Sequence, residues 1–368
     1  MNSLYYKVSI VLLLSFFFFY ACKSSSIKKN NFHKGVKKKT ENNYVLSSRF
    51  YHPRNKKDPQ STINAINKLK PKRIDWVYYG SNNELSLYQK LKLPYSLAIN
   101  PQVPDSLEFT TKKYRIKELT GNFYIAPWMK TWKIKNPYWG CVNNPHFNKL
   151  FLTKALYLSS LKPYALFVDD AAFNTRLKKE KKIGCFCEHC VLLFKKKYKT
   201  NSVFDKNLDT VSSLFNRGIL NEKYMSLNLK NFAKKYEDLQ EESVIKFLKI
   251  WIEEIKKRYP KLKFLTNNYN GSWNSIYRVF DGGIAELNIK YINKKDLDSI
   301  YKLADSLNKT QLFSIASSNF NVQKRLLEYN AKNKRESLYP WDIFISGEKR
   351  YYMHIDSILK IKYKLKKN

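Results

Sequence analysis

From residue 49 to near the end of the chain, short apolar runs alternate with amphipathic stretches. This alternation constrains the fold more than any other feature. A strand followed by a segment long enough to cross back leaves the next strand parallel to it, so the pattern predicts β/α units around a parallel sheet. Eight runs read as strands: RIDWVYY (73–79), YSLAIN (95–100), NFYIAP (122–127), YALFVD (164–169), LKFLTN (262–267), GGIAELNI (282–289), TQLFSIA (310–316) and YPWDIFI (339–345). Between them, DPQSTINAINKLK, FNKLFLTKALYLSSL, ESVIKFLKIWIEEIKKRYP and DLDSIYKLADSLN repeat apolar residues every three or four positions. Several of these segments open on Asp, Ser or Asn, as helices do. Eight units are the number that closes a (β/α)8 TIM barrel, which is the α/β fold expected for residues 49–368; a doubly wound open sheet is the alternative. The longest connection, 171–261, reads as an elaborated fourth βα loop rather than as a second domain.

A barrel gathers its chemistry where the strands end and the βα loops converge. The polar residues at those ends are Tyr78 and Tyr79, Asn100, Asp169 and Asp170, Asn267 and Asn268, Glu286 and Asp342, with Trp128, Trp132 and Trp341 close by. Two carboxyls facing each other across a cleft can protonate a leaving oxygen and attack, or activate water, on the other side. Asp170 and Glu286 are the expected pair, with Asp169 as the alternative to Asp170. Tyr79, Trp128 and Trp341 would offer flat faces to sugar rings, and Asn174, Asn267 and Asp342 would bind hydroxyls. The bland reading of each residue is also open: the acids as loop caps or buried ion pairs, and the aromatics as core in a chain with 27 Tyr, 23 Phe and 7 Trp.

The chain has 5 cysteines, and three of them fall in GCFCEHC (184–190). One tight turn of the form C-x-C-x-x-C can supply three thiolates to a tetrahedral zinc, and Cys141 in PYWGCVNNP would be the fourth ligand beside Cys185, Cys187 and Cys190. Two disulfides are the competing reading and a redox pair a third. A zinc closed by four thiolates has no open position, so it would be structural. His189 and Glu188 are then spare.

GCVNNP and GCFCEHCVLLFKKKY together resemble the zinc-bearing β-galactosidases of glycoside hydrolase family forty-two and their barrel relatives. The N-terminal HPRN, the APWMKTW segment and PWDIF look closer to an uncharacterised glycosidase-like branch. The resemblance runs from about residue 50 onward and implies a barrel acting on carbohydrate. It also shows departures. The family's strand four ends in Asn-Glu, its acid/base, where this chain has Asp169 and Asp170. Its strand seven carries a nucleophilic glutamate, where LFSIASSN offers serines. An aspartate on strand four facing an acid on strand six instead resembles the arrangement of α-galactosidase-like barrels. The expected function is therefore a glycoside hydrolase working by two carboxylates, with a catalytically inactive glycan-binding barrel as the rival.

The first residues, MNSLYYKVSIVLLLSFFFFYAC, place Lys7 before an apolar run and a small residue, Ala21, before Cys22. This resembles a bacterial lipoprotein signal, which implies export, removal of residues 1–21 and a lipid anchor at Cys22 on the cell envelope. Residues 22–48, lysine-rich and without an apolar period, read as a flexible tether. The net charge of +38 is spread through the chain, with no nucleic-acid module signature, so carbohydrate rather than nucleic acid is the expected partner.

Overall fold

The structure is a computed structural model. It describes residues 44–47, 66–67, 69–79, 82–102, 114–130, 138–180, 182–199, 227–315 and 320–339. Eight parallel strands, β1 (Tyr44–Ser47), β2 (Arg73–Val77), β3 (Tyr95–Ile99), β4 (Ala165–Val168), β5 (Lys263–Thr266), β6 (Gly282–Glu286), β7 (Thr310–Ser314) and β8 (Ser337–Tyr339), are hydrogen-bonded in the order β8-β1-β2-β3-β4-β5-β6-β7. The two edge strands β7 and β8 lie in contact, which makes a nearly closed barrel. The helices α1 (Asn82–Lys90), α2 (Pro145–Ser160), α3 (Glu188–Tyr198), α4 (Leu227–Arg258), α5 (Lys294–Ser306) and α6 (Phe320–Lys332) fall in the connections. Among the described residues no helix is long and apolar enough to cross a membrane.

Strand parity divides the core in two. Val45, Trp76, Ala98, Ala165, Phe167, Leu265, Ile284, Leu312 and Leu338 fill the inside of the barrel, while their neighbours Leu46, Val77, Leu97, Leu166, Val168 and Phe264 pack outward. Outside, Phe151 of α2 meets Phe173, Phe247 and Trp251 at ring-centroid distances of 5.5, 5.4 and 5.3 Å, which fixes α2 and α4 against the sheet. Asn144 caps α2 by accepting from the backbone of His146 and Phe147, and Pro145 follows at the first helical position.

Three expectations about the strands need correction. The first strand is Tyr44–Ser47, inside the stretch read as tether, so the barrel begins before residue 49. A run of four residues among lysines and asparagines carries too little pattern to declare itself. NFYIAP is not a barrel strand: its residues form isolated antiparallel bridges, Lys117 with Phe123 and Ile125 with Tyr138, in an excursion after β3. Its burial alternates between full and half, whereas the barrel strands are buried at nearly every position because both their faces are covered. The last strand is Ser337–Tyr339, earlier than YPWDIFI, and Trp341 and Asp342 lie outside the described residues, as do Trp132 and Cys22.

Candidate active site and thiolate centre

The inward parity of the strands continues past their ends and places a polar row above the apolar interior. Phe167 points into the barrel, so Asp169 does too; Leu265 brings in Asn267, Ile284 brings in Glu286, and Leu312 brings in Ser314. Asn267 Nδ2 donates to Asp169 Oδ1 at 3.3 Å, and Glu286 pairs in register with Ser314. On β2 an irregularity between Ile74 and Val77, with Trp76 at φ +64°, resets the alternation. As a result it is Tyr78, not Tyr79, that enters the mouth and donates its hydroxyl proton to Asp169. Tyr79 turns toward the helices, where it bonds Asn82 at 2.6 Å and meets Tyr157 of α2 edge-on at 6.0 Å. The expectation that Tyr79 lines the site is therefore corrected.

Asp170 sits at the turn after β4 at φ +53° and is only 9% exposed. Tyr269, after β5, donates to its Oδ1. Burial, and then the neighbouring charge of Asp169, hold the Asp170 carboxyl well above the usual carboxylate range; Glu286 pushes the same way, while Arg176 and Lys179 oppose. Lys179, although exposed as a residue, is lowered to about 8, first by desolvation of its ammonium end and then by Arg176, against the pull of Asp170 and Glu286. Its ammonium lies 4.1 Å from the Tyr269 ring centroid, and the Arg176 guanidinium lies 4.4 Å over Trp128 and 5.2 Å from Tyr269. The hydroxyl end of Tyr78 is pushed up by desolvation and by Asp169, although the residue as a whole is 37% exposed. Tyr277 is likewise pushed up by burial and by Asp170.

Two buried polar atoms in this region have no hydrogen-bond partner among the described residues, Asn267 Oδ1 and Ser314 Oγ, while Arg176 Nε lies 4.0 Å from Glu180 Oε1. Buried polar groups are normally paired, so such orphans at a barrel mouth mark places where a polar ligand can bind. Arg176, Lys179 and Ser314 were not among the expected site residues, and Tyr78 and Tyr269 stood at their strand ends with no role assigned. The signal that could have found Tyr78 is parity, which the β2 irregularity conceals.

Asn174 is not at the mouth. It is fully buried in the thiolate centre, where its Oδ1 accepts from the Val142 backbone at 3.2 Å and its Nδ2 donates to Gln240 Oε1 at 2.9 Å and to Cys141 Sγ at 3.3 Å. The substrate-binding expectation for Asn174 is corrected accordingly. Asn268 is also internal, exchanging amide bonds of 2.8 and 3.1 Å with Gln311, and a Cβ on Gly283 would come within 2.4 Å of it.

Cys141, Cys185, Cys187 and Cys190 place their sulfurs within 4.8 Å of one another, all buried and none in a disulfide. The contacts Cys141 to Cys190, 3.4 Å, and Cys187 to Cys141, 3.5 Å, approach the spacing of about 3.8 Å that tetrahedral zinc bonds of 2.3 Å imply. Sulfurs this close would be joined at about 2.05 Å in a disulfide. Burial raises the Cys185 and Cys190 thiols, while hydrogen bonds from the other three lower Cys187. Four buried thiols can ionise together only around a cation, and the donor set fits a structural metal. The turn is held by Phe186 N to Lys117 O at 2.7 Å, by Tyr236 Oη to Cys185 O at 2.8 Å, and by Phe186 stacked on Tyr236 at 4.5 Å. Glu188 is exposed and His189 half-buried, both outside the ligand set.

No protein-family model and no curated protein matches the chain. Among solved structures it is similar to a β-galactosidase from Bacillus circulans sp. alkalophilus, with TM-score 0.57 and 12% identity over 88% of this chain and 55% of that one. It is also similar to a β-galactosidase from the psychrophilic Marinomonas ef1, with TM-score 0.56 and 8% identity over 87% and 59%. An α-L-fucosidase isoenzyme 2 from Paenibacillus thiaminolyticus matches with TM-score 0.51 and 10% identity over 88% and 49%. The barrel is what they share. This chain spans about half to three-fifths of the length of those proteins.

Proposed function

We propose that the protein is a glycoside hydrolase acting on a carbohydrate at the C-terminal mouth of the barrel. The observation that carries this reading is the set Asp169 and Asp170 after β4 and Glu286 at the end of β6, with β5 between them, beside the orphaned polar atoms of Asn267 and Ser314. Asp170 keeps its proton above the ordinary carboxylate range and is the general acid that protonates the glycosidic oxygen. Glu286 is the second carboxylate, attacking the anomeric carbon or activating water there. Tyr78 and Asn267 hold Asp169 in place, so its charge helps to keep Asp170 protonated. Trp128, with Arg176 over its ring, and Asn267 contact the sugar. The glycosidase reading is supported by the glycosidases among the structural neighbours, at the level of fold.

The test is hydrolysis of a panel of chromogenic glycosides by the wild type and by Asp170→Asn. Loss of about 10²-fold or more in kcat with the variant supports the reading; equal residual rates in both proteins would sink it. One observation favours a second reading. Arg176 and Lys179 stand close enough to perturb Asp170, as in a charge-balanced binding surface. An inactive barrel that only binds glycan would show retention on a glycan array without turnover on any substrate of the panel.

We further propose that the thiolate centre holds zinc, that residues 49–368 form the core of the mature unit together with the strand at Tyr44, and that the protein is exported and lipid-anchored at Cys22. Metal analysis checks the first proposal, with about one equivalent of zinc per chain expected. Labelling with a radioactive fatty acid in cells, lost in Cys22→Ser, checks the last.

A further inference from the structure

The 3₁₀ segment Phe173–Glu180 runs between the two polar clusters and presents a different face to each. In a 3₁₀ helix residues three apart eclipse one another. Asn174, Leu177 and Glu180 therefore share one side, and Arg176 and Lys179 another. The first side belongs to the cysteine lobe. Asn174 bonds into the thiolates, Leu177 is buried in the same cluster as the four cysteines, and Glu180 Oε1 accepts from Tyr124 Oη of that cluster at 2.5 Å. The second side reaches the mouth through Tyr269, which donates to Asp170: the Lys179 ammonium lies 4.1 Å and the Arg176 guanidinium 5.2 Å from its ring centroid, while Arg176 also sits over Trp128 and 4.0 Å from Glu180.

The bonds of Asn174 fix its amide without ambiguity. Oδ1 takes the Val142 N–H at 3.2 Å, so Nδ2 must be the donor on the other side. One of its hydrogens goes to Gln240 Oε1 at 2.9 Å; the other is shared between Cys141 Sγ at 3.3 Å and Cys190 Sγ at 3.7 Å. Asn143 Nδ2 adds a second donor to Cys190 at 3.2 Å. Amide donors to buried thiolates disperse the negative charge left over when four of them bind one dication, and groups of this kind both orient the ligands and tune metal affinity.

We propose that Asn174 is a positioning residue: by donating to the thiolates it makes metal loading of the centre set the placement of Arg176 and Lys179 beside Asp170 and Glu286. The proposal rests on the metal reading of the centre and not on sugar hydrolysis. A failed glycosidase assay leaves it standing, and its own failure leaves the glycosidase reading standing.

The experiment uses the full chain, loaded with Zn²⁺ or stripped by a chelator, and compares wild type with Asn174→Ala. Three readouts apply: Zn²⁺ affinity by chelator competition, hydrogen exchange of 173–180 against strands β2 to β4, and the pH midpoint at which an amine-acylating reagent labels Lys179. Asn174→Ala should weaken Zn²⁺ binding by about 10- to 100-fold. Stripping the wild type should speed exchange in 173–180 while β2 to β4 stay protected. It should also move the Lys179 midpoint upward toward an ordinary lysine value, as its ammonium loses its desolvation and its nearness to Arg176. Should Asn174→Ala fail to fold, the stripped wild type decides alone. The proposal is overturned by affinity within about twofold of wild type, by less than about half an equivalent of bound zinc, or by unchanged exchange and labelling on stripping. Equal loss of protection across the whole barrel also overturns it, because the centre would then be a folding staple with no particular hold on the mouth.

Discussion

The two ends of the barrel treat buried charge in opposite ways. At the N-terminal end, Asp75 is fully buried but bonded by Arg73 Nε at 2.8 Å and by the Tyr164 hydroxyl, and Arg73 reaches on to Glu336 at 2.6 Å. Burial works against the charge on Glu336, yet Arg73 and Lys72 hold its carboxyl below the usual range. At the C-terminal end, burial and like charges push Asp170 up, with no carboxylate-matched fork to answer it. The same strands carry both clusters, so the contrast is not one of depth. Paired charges stabilise a fold, whereas a carboxyl kept protonated by its surroundings is one that can give its proton away.

The comparison makes opposite predictions for pH. Glu336 is lowered in the folded state, so the stability it contributes is present above its unfolded value near 4.3 and is lost as pH falls through the folded value. Asp170 is raised, so the folded state holds its proton longer than the unfolded chain does; stability declines as pH rises from about 3.9 through the raised value. Breaking the paired end should have the largest effect. Arg73→Met leaves Asp75 buried without its cation and Glu336 with Lys72 alone, and should cost about 3–5 kcal/mol in urea unfolding at pH 7. A cost below about 1 kcal/mol would erase the distinction between the ends.

Breaking the other end should do the reverse. Asp170→Asn should unfold at a higher urea concentration than the wild type at pH 8, with the gain vanishing near pH 4, while turnover falls by about 10²- to 10⁴-fold. A variant less stable than wild type at pH 8 would show that the carboxylate is satisfied after all. Gly140→Ala probes the junction between the barrel and the cysteine lobe: a Cβ there would stand 1.9 Å from the Phe147 ring, so a loss of about 1–3 kcal/mol is expected in thermal melts, with bound metal unchanged. The smallest effect sharpens the parity argument. Tyr78→Phe, which removes a bond to Asp169, should weaken turnover by about tenfold, whereas Tyr79→Phe should change it less than twofold.

The alternation of apolar runs made the parallel barrel legible, and the acids at strand ends were legible with it, because Asp169, Asp170 and Glu286 follow strands whose patterns are long and clear. The cysteine spacing likewise pointed to one centre, and the four sulfurs do meet. Other readings failed where local pattern and tertiary setting diverge. NFYIAP alternates as a strand should but covers only one face, so it stays outside the barrel. Tyr79 and Tyr78 are chemically alike, and the irregularity in β2 that chooses between them leaves no mark on composition. Asn174 has the same side chain as any sugar-binding asparagine; the fold commits its amide to sulfur.

The sequence by itself determined the periodicities, and hence the parallel β/α class, the inward parity of most strand ends and the residue types available there, although its eight runs counted NFYIAP in place of β1. Tertiary structure alone decided which of those residues meet: that Tyr269 reaches Asp170, that Cys141 joins a turn more than forty residues away, and that one buried carboxyl is met by a guanidinium while another stands beside a second carboxylate. Hydrophobic periodicity is a local property, repeated every few residues and readable from a window. Desolvation and charge pairing depend on distances between strands far apart in the chain, and those distances exist only once the barrel has closed.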